Sequence, residues 1–198
     1  MHFLHALFNR FADAVIARAQ RTPYFHLRNS DGTPYMDRFW LLRIGRSGQD
    51  SQGNAMPWIA LRVHHIRSSD EGRDFHDHPW AFFSLILRGG YYEERPYTGP
   101  IIPPKPVDLR VEKTSGQEYT RSVYYAPRLL FRRARQWHRL RLPGELAQCG
   151  TWTLVLTLPK SQEWGFLFNG MKIDRHSYGR VRKLAAASAV SRRANGHG

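Results

Sequence analysis

Two histidines separated by a single residue are the sharpest chemical feature of this sequence. His76 and His78 stand in the segment 75–80, FHDHPW. In an extended strand, side chains two residues apart point to the same face, so both imidazoles should project together. Neutral imidazole is a preferred nitrogen ligand for zinc, iron, nickel and copper. The pair therefore predicts part of a binding site for a divalent transition metal.

A third histidine follows 60 residues after His78, in the segment 136–142, QWHRLRL. Alternation along a strand places His138 on the same face as Leu140 and Leu142, which we expect to be the inward face, and turns Arg139 and Arg141 toward water. An inward histidine needs a polar partner, because an unpaired buried polar group is costly. A metal ion shared with the first two histidines would be that partner.

A further histidine candidate lies in the segment 59–66, IALRVHHI. The apolar residues 59, 61 and 63 share the parity of His65, which predicts that His65 points inward and His64 outward. Three roles remain open for His65. It is a fourth metal ligand, a substrate contact or a hydrogen-bonded core residue.

The elements that must position these residues are short and numerous. Apolar segments separated by Gly, Pro, Asp and Ser run from about residue 58 to 168 with no long helical pattern between them, which predicts an all-β sandwich or barrel. Apolar residues at helical spacing in 3–20 predict an amphipathic helix on the outside of that domain; a membrane-surface helix is the alternative, although its polar face is poor in Lys and Arg. We therefore divide the chain into an N-terminal helix and linker (1–35), a β-barrel (36–175) and a basic tail expected to be disordered (176–198).

Composition and charge narrow the class of protein. The 198 residues suit one domain, and the lone Cys149 cannot form an internal disulfide. No apolar run is long enough to span a membrane, so we expect a cytoplasmic protein without membrane association. The net charge of +14 attracts anions, either nucleic acid or an anionic small molecule. Its arginines are scattered and no nucleic-acid-binding motif accompanies them, so nucleic acid is not the favoured partner.

The histidine pair, Gly90 and the distant His138 together resemble the two short motifs of the cupin superfamily. The stretches HDHPW (76–80), SLILRGGY (84–91), TWTL (151–154) and WGF (164–166) look similar to a bacterial and phage-associated cupin-like group. This resemblance covers roughly residues 36–175. It implies a double-stranded β-helix, or jelly-roll barrel, and one divalent transition metal (Fe, Zn, Ni or Mn) held by His76, His78 and His138. Because cupins are often dimers, it also allows for a homodimer.

The sequence departs from the cupin pattern at one ligand. Cupins usually carry a glutamate where this chain has Phe83, and the neighbouring Phe82 and Ser84 are not carboxylates either. The centre then has three histidines only, or it takes a carboxylate from elsewhere. Glu93 and Glu94 are the candidates, of which alternation puts one inside the barrel. They are also the candidates for a catalytic general acid or base.

Several further residues are candidates for the pocket. We expect Ser84, Tyr91 and His65 to contribute to it, with core packing as the alternative for the tyrosine. Arginines at the mouth, such as Arg73, Arg88 and Arg95, would hold an anionic group through paired hydrogen bonds, or else they are solvated surface charges.

These observations favour a metal-dependent enzyme of the oxygenase or isomerase type that acts on a small, anionic molecule. Two alternatives stay open. One is a non-catalytic cupin module that binds a ligand or nucleic acid; the other is a metal-independent sugar-nucleotide epimerase or isomerase that uses a histidine base and a tyrosine acid. Cupin barrels carry out many unrelated reactions, so the resemblance does not identify the substrate.

Overall fold

The computed structural model of the protein describes residues 2–29, 31–45, 57–70, 74–97, 110–114 and 117–195. The helices are α1 (His2–Ala19), α2 (Leu146–Cys149) and α3 (Arg175–Asn195). The strands are β1 (Tyr24–Arg28), β2 (Pro34–Ile44), β3 (Ile59–Ile66), β4 (Trp80–Arg88), β5 (Gly90–Pro96), β6 (Arg110–Thr114), β7 (Gln117–Tyr125), β8 (Arg128–Arg132), β9 (Arg139–Arg141), β10 (Thr151–Lys160), β11 (Gly165–Phe168) and β12 (Met171–Asp174). No helix in these ranges has the length and apolar character needed to cross a membrane.

Two antiparallel sheets enclose a cavity. The larger sheet has the order β1-β2-β3-β10-β4-β8, the smaller one the order β6-β7-β5-β9, and β11 and β12 form a separate hairpin. The chain passes from one sheet to the other between β4 and β5 and again at each step from β7 to β10. Such repeated crossing is the pattern of a jelly-roll barrel. The predicted fold class, an all-β barrel with an N-terminal helix, is confirmed.

A pair of glycines makes the first of these crossings. Gly89 has a φ of +79°, a left-handed conformation that favours glycine, and it turns the chain between β4 and β5. At Gly90, a side chain would come within 2.4 Å of the Tyr125 ring and 2.5 Å of the Tyr124 carbonyl oxygen. This close backbone approach explains why the glycine stands here.

Helix α1 covers the outer face of the larger sheet, as the sequence predicts. Ala12 and Ile16 pack with Leu87 of β4, and Ala19 packs with Phe39 of β2 and Val63 of β3. The apolar residues nearest the start of this helix do not share in the packing and are exposed: Phe3, Leu4, Leu7 and Phe11.

The contact with α1 determines which face of β3 points into the barrel. The prediction that His65 points inward and His64 outward was wrong. Val63 points outward into the contact with α1, so Arg62 and His64 line the cavity. His65 lies outside the barrel, where its ring stacks on Trp152 at 4.0 Å and its Nε2 lies 2.9 Å from the Cys149 carbonyl oxygen. The barrel interior that Arg62 and His64 face is lined by polar as well as apolar side chains.

The end of the chain also differs from the prediction. Helix α3, Arg175–Asn195, occupies most of the tail, residues 176–198, that we expected to be disordered. Asp174 caps this helix, since its Oδ1 accepts hydrogen bonds from the backbone N–H groups of His176 (2.9 Å) and Ser177 (3.0 Å). The alanine-rich run that follows has high helix propensity, and Tyr178 stacks on Phe166 of β11 at 3.9 Å. At the other boundary, β1 already pairs with β2, so the sheet begins before residue 36.

Candidate metal centre

The three predicted histidines converge because two distant segments pair through their backbones. The backbone N–H of His76 donates to the carbonyl of His138, and that of His138 donates to the carbonyl of His76, both at 2.9 Å. The N–H of His78 donates to the carbonyl of Ala134, also at 2.9 Å. These bonds align the stretch before β4 with the stretch before β9. All three imidazoles line the cavity as a result.

The geometry of the three rings suits one metal ion. Each ring offers a nitrogen atom, and the three nitrogens lie within 4.8 Å of one another. The Nε2 atoms of His78 and His138 are 2.7 Å apart. Imidazole ligands bind zinc at about 2.0–2.1 Å, which places two ligand nitrogens of one ion roughly 3–4 Å apart. The 2.7 Å pair must open by a few tenths of an ångström to reach this spacing, after which the three histidines can hold one ion.

The protonation of the rings also fits a metal centre. The Nδ1 of His138 lies 2.9 Å from the Oε1 of Glu93, so that nitrogen is the donor and the lone pair of Nε2 faces His78. Burial lowers the pKa of His78 well below its usual range, and the charges of His138 and His76 lower it further. His78 is therefore neutral near pH 7, and a neutral imidazole is the form that binds a metal.

Glu93 lies behind the centre and is only 1% exposed. Its carboxylate accepts hydrogen bonds from Arg132, whose Nε lies at 2.7 Å, and from the Nη2 of Arg95 at 3.2 Å, in addition to His138. Burial by itself would raise the pKa of Glu93, but the hydrogen bond from His138 and the charges of Arg132 and Arg95 outweigh burial and lower that pKa. Glu93 is therefore an ionised partner of a histidine, and it does not line the cavity.

Glu94 points to the opposite face of β5, as alternation predicts, but it is buried as well. It forms ion pairs with Arg121 (2.6 Å), Arg139 and Arg141 (3.5 Å). The expectation that Arg139 and Arg141 face water was wrong. Arg139 is buried against Phe75, whose ring centroid lies 4.6 Å from its guanidinium carbon. The sheet face carrying Glu94 is thus a salt-bridge cluster on the side of β5 opposite to Glu93.

The interior position of β4 beside the histidines is apolar. The ring of Phe82 lies 4.8 Å from that of His78, edge to face, and Phe82 lines the cavity. Phe83 points outward, is 38% exposed and packs on Phe131. Within the described residues, the centre thus has three histidine ligand candidates and no carboxylate ligand, and its remaining side opens to the cavity.

The cavity beside the centre has a volume of about 960 Å³, which is within the range of small-molecule sites. Ser84 and Tyr91 line it, as we expected. Burial, and next the charge of Glu93, raise the pKa of Tyr91, so its hydroxyl stays protonated across the neutral range. The cavity is also lined by Tyr178 of α3, a contribution that we missed by treating the tail as disordered.

Two arginines of the larger sheet, Arg38 on β2 and Arg62 on β3, also line the cavity, and sequence reasoning missed them. The arginines that we expected at the mouth of the cavity either pair with other residues or lie outside the described residues. Arg88 pairs with Asp13 of α1 on the outer surface, Arg95 pairs with Glu93, and Arg73 lies outside the described residues. The parity that places His64 inside would have identified Arg62, because both stand on the same face of β3.

The chain matches no protein-family model and no curated protein. Among solved structures, the iron(II) form of HppE is similar over 70% of this chain and 57% of its own length, with 8% identity and a TM-score of 0.44. A cupin-2 domain protein from Rhodospirillum rubrum is similar over 74% of this chain and 76% of its own, with 14% identity and a TM-score of 0.42. The DMSP lyase DddQ from Ruegeria pomeroyi DSS-3 is similar over 83% and 66%, with 14% identity and a TM-score of 0.43. The fold assignment stands on the sheet topology and not on these similarities.

Proposed function

We propose that this protein is a metal-dependent enzyme that binds one divalent transition metal through His76, His78 and His138 and acts on a small anionic molecule. The observation that supports it is the convergence of three imidazole nitrogens within 4.8 Å on the wall of a ligand-sized cavity. The carboxylate of Glu93 behind His138 adds to it, because such a carboxylate–histidine pair commonly orients metal ligands.

An ion held by His76, His78 and His138 alone would keep coordination positions free for a substrate that enters from the cavity. A bound divalent metal supplies Lewis-acid activation of a substrate oxygen and, if it is iron, redox chemistry of the oxygenase type. Glu93 holds the proton on the Nδ1 of His138, which keeps the Nε2 lone pair directed into the site. The protonated hydroxyl of Tyr91 is a hydrogen-bond donor inside the cavity. Reactions of the oxygenase and of the isomerase type both fit this arrangement.

The metal content of the purified protein tests this proposal, followed by titration of the metal-free protein with Zn²⁺, Fe²⁺, Ni²⁺ and Mn²⁺. We expect one ion per chain, and at least a hundredfold weaker binding in His76→Ala, His78→Ala and His138→Ala, since each loses one of only three ligands. His64→Ala is the matched control, because His64 lines the same cavity outside the group of three. Wild-type metal affinity in the three variants, or no binding by the wild type, would overturn the proposal.

A metal-independent isomerase or epimerase is the second candidate. The 2.7 Å separation of the Nε2 atoms of His78 and His138 is also that of a hydrogen bond, which can link a histidine base to a histidine donor, and Tyr91 supplies an acid in the same cavity. Turnover that survives complete removal of metal by a chelator, and is lost in Tyr91→Phe, would favour this candidate over the metal enzyme.

A further inference from the structure

The wall of the cavity formed by β2 and β3 carries three basic side chains on one face. Arg38 and His64 are direct cross-strand partners, and Arg62 stands two residues before His64 on the same face of β3. All three line the cavity that the histidine centre faces. The fold therefore places two guanidinium groups and an imidazole side by side in an enclosed space.

These groups have little compensation from the protein. The side chain of Arg38 forms no hydrogen bond or ion pair within the described part of the chain. The Nε atoms of Arg38 and Arg62 and the Nε2 of His64 are buried there without a hydrogen-bond partner. The one hydrogen bond of Arg62 runs from its Nη2 to the hydroxyl of Thr157, at 3.2 Å. Burial of an unpaired charge costs roughly several kcal/mol. A bound counter-ion would offset this cost for a basic cluster of this kind.

The carboxylates near the cavity are engaged elsewhere. Asp70 accepts hydrogen bonds from the hydroxyl of Tyr35 (2.5 Å) and the backbone N–H of Leu140 (2.8 Å). Asp31, at the exposed rim, accepts from Thr33. By contrast, Arg132 in the same cavity is neutralised by Glu93. These three arginines of one cavity thus differ: Arg132, near the histidines, has an acidic partner, whereas Arg38 and Arg62 have none among the residues that the structure describes.

The side chain of Arg62 is also held in place. Its guanidinium carbon lies 4.7 Å from the ring centroid of Trp40 and 5.0 Å from that of Trp80. Stacking between two indoles restricts the group to one orientation while leaving the in-plane N–H donors available. A planar guanidinium presents paired donors that match the oxygens of a carboxylate or phosphate.

We propose that Arg38, Arg62 and His64 form the binding site for the anionic head group of the substrate, a carboxylate, phosphate or phosphonate. This inference rests on the proposed function, because it assigns the substrate class of the same cavity. The oxyanion accepts hydrogen bonds from the two guanidinium groups and from His64, and the remainder of the molecule extends toward His76, His78 and His138.

Calorimetric titration of the metal-free full-length protein with inorganic phosphate and, separately, with acetate tests this site. We expect at least one anion to bind, and binding at least about tenfold weaker in Arg38→Gln, the loss of one charge-assisted hydrogen bond. Tighter binding of phosphate assigns a phosphate or phosphonate head group, and tighter binding of acetate assigns a carboxylate. Arg28→Gln is the matched control, because Arg28 lines the exposed rim and its side chain donates, among the described residues, only to the Gly32 carbonyl oxygen, at 2.8 Å.

Two further variants keep the test decisive. If Arg38→Gln does not fold, Arg62→Lys retains the charge, removes the paired donors and should weaken anion binding to a similar degree. His76→Ala should lose metal binding and still bind the anion as the wild type does. A wild-type protein that binds the anion but no metal would contradict only the proposed metal enzyme. Failure of both anions to bind the wild type, or wild-type anion affinity in folded Arg38→Gln or Arg62→Lys, would overturn the anion site.

Discussion

Glu93→Gln should weaken metal binding more than any other change that leaves the three histidines intact. The glutamate is 1% exposed and fixes His138 through a 2.9 Å hydrogen bond to Nδ1. The negative charge of Glu93 holds the proton on the Nδ1 of His138 and makes its Nε2 more basic. The amide of glutamine has no such charge. Loss of such a partner commonly lowers metal affinity about 10- to 100-fold, or about 1.4–2.7 kcal/mol.

The same substitution also affects folding, because Arg132 loses its charged partner. Breaking a buried ion pair costs about 3–5 kcal/mol, and an amide that still accepts a hydrogen bond should keep the cost toward the lower end. A domain of this size has roughly 5–15 kcal/mol of stability, so the variant is expected to fold. Its free energy of unfolding should be measured by urea titration alongside its metal affinity.

Glu94→Gln is the matched control for this prediction. Glu94 is the next residue on the same strand, is 0% exposed and pairs with three arginines, but it faces away from the histidines. It should lose comparable stability and keep its metal affinity. Competition for Zn²⁺ against a chromophoric chelator measures both affinities. The reasoning fails if Glu93→Gln binds Zn²⁺ as tightly as the wild type, or if Glu94→Gln loses as much affinity as Glu93→Gln.

Three further results should follow from the structure. Phe82→Glu places a carboxylate beside His78 and should tighten Zn²⁺ binding by about tenfold. Phe83→Glu, on the outward face, should leave Zn²⁺ binding unchanged. Equal Zn²⁺ affinities of the two variants would contradict the inward placement of Phe82. Burial, and then the charges of Arg38 and Arg62, lower the pKa of His64 well below 6.5. Just below pH 6.5, His64 therefore becomes protonated in the unfolded chain but stays neutral in the folded protein. The urea midpoint of the metal-free protein should therefore fall as the pH drops through 6.5 toward 5.5, and His64→Gln should flatten this dependence; parallel curves would exclude the effect. Tyr178→Ala removes the stack on Phe166 and the 2.9 Å hydrogen bond to Asp74, which together contribute about 1–3 kcal/mol to holding α3 against the barrel. Amide hydrogen exchange should become faster in α3 but not in β3 and β10. Unchanged exchange in α3 would contradict this role of Tyr178.

The features of the site that follow from local geometry were predictable. His76 and His78 share a face because they stand two residues apart in an extended stretch, and that relation holds whatever the strand packs against. The inward direction of His138 came from the apolar residues 140 and 142, which do line the cavity. The predicted all-β class rested on short apolar segments with frequent turn residues, and the two sheets bear it out.

The direction of β3 was not predictable by the same means. Alternation shows the orientation of a strand when one face of its sheet packs on the core and the other meets water. Strand β3 instead has a helix on one side and, on the other, a cavity lined by polar as well as apolar side chains. Apolar Val63 then points outward to α1, and Arg62 and His64 point inward. Alternation reveals two faces and does not say which is the interior. The contact with a helix some forty residues earlier in the chain decides it.

The charges in the cavity relate the two proposed sites. Glu93 is the carboxylate next to the histidines, and Arg132 already neutralises it, so a divalent ion at His76, His78 and His138 would add positive charge to a space that contains Arg38 and Arg62. Like charges in a poorly solvated cavity repel strongly. An anion on the two arginines would remove that repulsion, and the metal would in turn favour the anion, because a coupling free energy between two sites acts equally in both directions. The arrangement thus favours a metal and an anionic substrate bound together over either one alone.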